Sequence, residues 1–164
     1  MSRSGYNDEC DDQWAMIRWR GAVASSLRGK RGQAFLREAL AALDAMPDKR
    51  LVGSRFEADG DCCTLGAVCR VRGVDASGLT PDYNQGDVSR DIADLLDIPV
   101  ALAAEIMHTN DETVEDTRPE RVATDPGDRR SRRIVWVPVP GAAEKRWQHM
   151  RDWIARHIVE SEAA

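Results

Sequence analysis

No apolar run in this chain approaches the ~20 residues needed to cross a bilayer. The longest stretches, 98–104 and 134–139, fall far short, so no membrane span is expected. The opening Met1-Ser2-Arg3-Ser4-Gly5 leads into acidic residues rather than an apolar leader core, so the expected compartment is the cytoplasm. Cysteines are few: Cys10, Cys62, Cys63 and Cys69. Two of them are adjacent, which makes a poor disulfide framework, and reduced thiols packed as small apolar groups are expected instead. Metal-ligand spacing is missing as well. Cys62, Cys63 and Cys69 lack the C-x2-4-C step, and His108, His149 and His157 are scattered. Glu57-x-Asp59-Gly60-Asp61 lacks the remaining ligands and closing Glu of a calcium loop. No metal and no cofactor are expected.

Catalytic signatures are also lacking. There is no G-x-G-x-x-G, H-E-x-x-H or G-x-S-x-G. Ser26-Leu27-Arg28-Gly29-Lys30-Arg31 is no phosphate loop: the upstream Gly is absent, and Arg follows Lys where Ser or Thr would hold magnesium. Asp111, Glu112, Glu115 and Asp116 crowd together, but in an expected loop with no His or Lys beside them. The chain is therefore not expected to be an enzyme, and an unfamiliar catalytic site is the least favoured reading.

What is present suits one folded domain over residues 1–164. The 164 residues are 42% hydrophobic and 31% charged, within the range of globular proteins. The net charge of −5 hides segregation. Residues 1–56 carry ten basic and seven acidic side chains; residues 57–128 carry five and seventeen; residues 129–164 carry eight and four. An acidic middle between mildly basic ends is either a charged binding face or a solvated surface balanced in space.

Periodicity predicts a mainly α protein: a compact domain of about five to six helices, with a small β-hairpin near 121–139. Residues 12–27 read as a helix capped by Asp11 or Asp12, with two apolar stripes. One is Trp14, Ile17, Gly21 and Ala24, with Gly21 allowing close backbone approach; the other is Trp19, Val23 and Leu27. A basic turn, Arg28 to Gly32, leads into a second helix at 33–46, which Pro47 stops. Its Phe35, Leu36, Ala39, Leu40 and Leu43 line one face. Asp61 is expected to cap a helix at 62–72 ended by Gly73, and short helices follow at 88–96 and 99–108. Residues 110–128 read as an acidic loop. Residues 133–139 alternate as a strand that Pro138 and Pro140 confine to an edge or isolated hairpin. Trp147, Met150, Ile154 and Ile158 mark the core face of a last helix, 142–159. The region 113–140 reads as a loop or hairpin insertion.

Two stretches invite a binding reading. Residues 89–107 have the spacing of a helix-turn-helix, with Ala93 at the crossing and Ile98 after the turn, Asp97 standing where Gly is usual. A second helix reading a groove needs polar or basic side chains toward bases and phosphates. This one offers Ala, Leu and Glu105 beside Asp87, Asp91, Asp94 and Asp97, a surface that repels phosphate. Two packed core helices are the plainer account. The other stretch is the N-terminal basic run: Arg18, Arg20, Arg28, Lys30, Arg31 and Arg37, with no acid between Asp12 and Glu38 and with Trp14 and Trp19 interleaved. It suits backbone-tracking nucleic-acid contact, or, more simply, ion pairs with the acidic middle.

Several segments resemble a group of small bacteriophage- and prophage-encoded proteins. These are Ser2-Arg3-Ser4-Gly5-Tyr6, then Asp11, Asp12 and Trp14, Ile17-Arg18-Trp19-Arg20-Gly21-Ala22-Val23, and Arg28-Gly29-Lys30-Arg31-Gly32-Gln33 with Phe35-Leu36. Later Leu65-Gly66-Ala67-Val68, Arg72-Gly73-Val74-Asp75, Ala104-Glu105-Ile106-Met107, Asn110-Asp111 and Trp147-x-x-Met150-Arg151-x-Trp153 are similar to that group too. The resemblance covers most of the chain except 113–140. It implies an accessory protein of the bacterial cytoplasm and transfers no activity and no site residues. The leading expectation is a non-enzymatic protein that binds a host or phage protein as a regulator or inhibitor. Trp19, Trp136 and Arg20 are candidate contacts, since Trp and Arg are enriched at interface hot spots. The alternative partner is nucleic acid, met by Arg18, Arg20, Arg28, Lys30 and Arg31 or by the unit at 89–107.

Overall fold

The computed structural model describes residues 13–79, 88–123 and 132–160. Six helices and two two-stranded antiparallel sheets occur among them: α1 Gln13–Arg28, α2 Lys30–Ala45, β1 Glu57–Ala58, β2 Asp61–Cys62, α3 Thr64–Arg72, α4 Val88–Leu96, α5 Val100–Glu112, β3 Thr117–Ala123, β4 Arg132–Pro138 and α6 Ala142–His157. The mainly helical fold with a small β-hairpin after the fifth helix is therefore as expected, and a second, two-rung pair, β1–β2, is added to it. The N-terminal caps expected at Asp11 and Asp12, most of the 74–86 loop, and Cys10 lie outside the described residues.

α1 and α2 form a helical hairpin tighter than the basic turn suggested. Gly29 alone separates them, and α2 begins at Lys30, so Gly32 sits inside a helix. A Cβ on Gly32 would lie 1.8 Å from the Ser26 carbonyl oxygen, which is why glycine stands where the two helices touch. α2 buries Phe35, Leu36, Ala39, Ala42 and Leu43 against α3 and α6. Each fully buried Leu or Phe contributes roughly 1.5–3 kcal/mol relative to exposure. The Gln33 side chain ties the chain end to this pair. Its Nε2 donates to the carbonyls of Leu27 (2.6 Å) and His157 (2.7 Å), and its Oε1 accepts from Val159 N (2.8 Å).

The start of α3 differs from expectation. Asp61 is not its cap: it belongs to β2, and the thiol of Cys63 accepts from Gly66 N at 3.4 Å instead. Gly73, in the left-handed region at φ 67°, ends the helix as expected. α4 and α5 pack through Ala93 with a left-handed Asp97 (φ 52°) at the turn. α5 runs on to Glu112, longer than its pattern implied, and buries Ala101, Leu102, Ala103, Ala104, Ile106, Met107, Thr109 and Asn110. It is the central helix, in contact with α1, α3, α4 and α6. The polar stretch after it is not all loop: 117–123 forms β3, paired to β4 from Thr117↔Pro138 to Ala123↔Arg132. α6 closes the core with Met150 and Ile154.

Candidate binding surfaces

α1 carries two apolar stripes, and only tertiary packing distinguishes them. Val23 and Ser26 are buried, with Leu27 and Trp19 partly covered beside them. The Trp19 indole Nε1 is buried with no hydrogen-bond partner among the described residues. The other stripe faces outward. Trp14 is 70% exposed and Ile17 57%, and a Cβ placed on Gly21 would meet nothing within 4 Å. Among the described residues, nothing uses the close approach that Gly21 permits.

The basic run does not make one face. Arg18 and Arg20 project about 200° apart around α1, since each helical residue turns ~100°. Arg28, Lys30 and Arg31 gather at the α1–α2 junction, where all three are exposed. Arg28 Nε donates to the Ala24 carbonyl at 3.1 Å, satisfying the end of α1. Arg31 reaches across to α4–α5, donating to the Asp97 carbonyl at 2.9 Å and pairing with its carboxylate. The basic turn and the acidic helix-turn-helix-like unit thus neutralise each other at this point, as the ion-pair reading expected. Within that unit the second helix is α5, whose apolar length is buried. Its more accessible residues are Val100, Glu105, His108, Asp111 and Glu112, so it offers no Arg or Lys to a groove.

Trp136 sits elsewhere, on the β3–β4 arm. Its root is held firmly. Val139 N donates to the Asp116 carbonyl at 2.8 Å. Arg146 on α6, 1% exposed, donates to the carbonyls of Asn110 (2.8 Å), Leu51 (3.2 Å) and Val114 (2.7 Å), and the Nη1 that faces Leu51 also meets the Asp116 carboxylate at 2.8 Å. One guanidinium fork thereby pins the 51–56 loop, the end of α5 and the arm's root to the core. Sequence reasoning missed Arg146, although a signal exists: it falls on the four-residue repeat Ala142, Arg146, Met150, Ile154 that faces the core. Beyond its root the arm leaves the body. Thr117, Pro119, Arg121, Arg132, Ile134, Trp136 and Pro138 share one face by register, and that face is open, with Ile134 61% and Trp136 67% exposed. Arg118, Glu120, Val122, Arg133, Val135 and Val137 share the other.

A shallow hollow between the 53–56 loop, α3 and α5 is lined by Ser54, Phe56, Cys63, Thr64, Met107 and Asp111. Its polar groups are engaged with one another. Asn110 Oδ1 accepts from Thr64 N and Oγ1, its Nδ2 donates to the Val52 carbonyl, and Asp111 accepts from Ser54 N. Burial pushes the Cys63 thiol up to about 12, so at neutral pH it is protonated and serves as a helix cap, not a nucleophile. The hollow therefore reads as a structural latch. No family model, no curated protein and no solved structure matches this chain.

Proposed function

We propose that this chain is a small non-enzymatic phage or prophage accessory protein that binds another protein in the bacterial cytoplasm through the outward face of α1. The observation that carries the reading is the stripe Trp14, Ile17 and Gly21, exposed on a helix with three arginines and no acidic residue. Steps of three and four residues are those by which a helix seats in an apolar groove, and Gly21 lets a partner's backbone come close. The partner is thus a host or phage protein with an apolar groove that accepts a helix.

The test is capture from a bacterial lysate at moderate salt after nuclease treatment, with the wild type and the Trp14→Ala/Ile17→Ala variant side by side. A stoichiometric protein held by the wild type and lost by the variant, with helicity unchanged by circular dichroism, supports the reading. A protein held equally by both refutes the α1 surface. Retention of nuclease-sensitive nucleic acid alone would instead favour the basic junction of Arg28 and Lys30.

A further inference from the structure

We infer that the β3–β4 arm is a self-association device: it packs face to face with the arm of a second copy of this chain, antiparallel about a two-fold axis. This goes beyond the α1 reading and uses none of its residues.

The open edges of the arm are poor places to add a strand. The Val139 N–Asp116 O bond sets the ladder phase, so that Thr117↔Pro138 and Pro119↔Trp136 are rungs whose backbone groups point outward. Proline has no N–H, so Pro119 removes a donor from one edge and Pro138 from the other. Edge pairing is blunted and the faces are left as contact surfaces.

The face bearing Ile134 and Trp136 is self-complementary. The centre of the seven-rung ladder is Glu120↔Val135. A two-fold through that rung lays the Arg121–Ile134 rung of one arm on the Pro119–Trp136 rung of the other, twice over. Ile134 then covers the second copy's indole, and Arg121 lies within reach of its π face, an attractive arrangement for a guanidinium. The ends match as well. The distal rung brings Arg132 to the second copy's root, where Glu112 and Glu115 are exposed. Among the described residues the distal end of the arm is basic and the acidic Glu112 and Glu115 lie just before its root, so antiparallel contact sets opposite charges together, whereas parallel contact sets like charges together. A closed two-fold pair also ends at two copies rather than growing.

The contact is small. Seven rungs of two strands span about 23 Å by about 10 Å, well below the ~800 Å² per partner of stable complexes. A weak, reversible dimer follows, populated at micromolar concentrations and weakened by salt.

Sedimentation equilibrium from about 5 to about 200 µM, at low and at high salt, tests this on the full chain. The expected result is a rise from the 18.2 kDa chain mass toward twice that value, reversed by salt and abolished by Trp136→Ala/Ile134→Ala. The decisive arm is a charge swap. Arg132→Glu alone and Glu115→Arg alone should each be monomeric, and an equimolar mixture of the two should recover the dimer as a heterodimer. A chain that stays monomeric at the highest concentration in low salt would overturn the inference. So would association that continues past two copies, a dimer indifferent to the arm variants, or a mixture no more associated than its components. Mass is read without any other partner, so this result and the α1 capture fail independently.

Discussion

Replacing Arg146 by Met tests whether the buried guanidinium organises this end of the molecule. The substitution keeps most of the apolar stem and removes a fork that donates to three backbone carbonyls. A carbonyl left buried without a donor costs about 1–3 kcal/mol, and removing one partner of a buried charged network about 3–5 kcal/mol. Relaxation and entering water will recover part, so the expected loss is about 3–5 kcal/mol. At ~2.1 cal/mol/K of unfolding entropy per residue, that lowers Tm by roughly 10–15 °C. The Asp116 carboxylate is not the main element, because its side chain is 56% exposed and such a charge stays solvated. Asp116→Asn should therefore lose less than about 1 kcal/mol. Arg146→Lys should behave nearly as badly as Met, since a point ammonium cannot span three diverging acceptors. Urea denaturation of the three variants supplies the magnitudes. Hydrogen exchange adds a local readout: the Val139 amide, bonded to Asp116 at the arm's root, should exchange faster in Arg146→Met. If Arg146→Met unfolds within about 1 kcal/mol of the wild type, or if Asp116→Asn matches it, the carbonyl-clamp account is wrong.

Further outcomes are expected at other positions. Gly21→Ala, in open space on α1, should stabilise by about 0.5–1 kcal/mol. Gly32→Ala must push backbone from backbone at the α1–α2 contact and should destabilise by at least about 1–3 kcal/mol; paired thermal melts report both. Acrylamide quenching should reach Trp14 and Trp136 far more readily than Trp19, Trp147 and Trp153 in dilute protein, and Trp136→Phe should remove a large part of the quenchable emission. Above pH 9 the unfolded chain gives up the Cys63 proton while the folded chain keeps it until about 12. The stability contributed by this group is whole below pH 9 and falls as pH rises toward 12, by up to about 1.4 kcal/mol per unit. Cys63→Ser should flatten that part of the urea-midpoint profile.

The helices were legible because their signals are local. α2 announces itself through apolar spacing and a stopping proline, α3 ends at a glycine that adopts the left-handed conformation, and the α4–α5 turn shows as Asp97 between two apolar runs. The misreadings share one cause. Asp61 resembled a cap by residue type, but pairing with Ala58 in a small hairpin drew it into β2 and left the thiol of Cys63 as acceptor. Residues 117–123 look like polar loop because 117–122 are all exposed, so no hydrophobic alternation was needed on β3.

Composition and periodicity by themselves determined that this chain is mainly helical, that its second helix and last helix face inward along recognisable stripes, and that a hairpin interrupts the helices near 121–139. These follow from neighbours within a few residues, where backbone sterics and side-chain spacing act. Which stripe of α1 points outward, whether basic residues close in sequence share a face, and where Arg146 finds its acceptors were decided only in three dimensions. Burial is a competition among all faces for a limited core: α5 buries most of its length, while Trp14, Ile17 and Trp136 stay exposed.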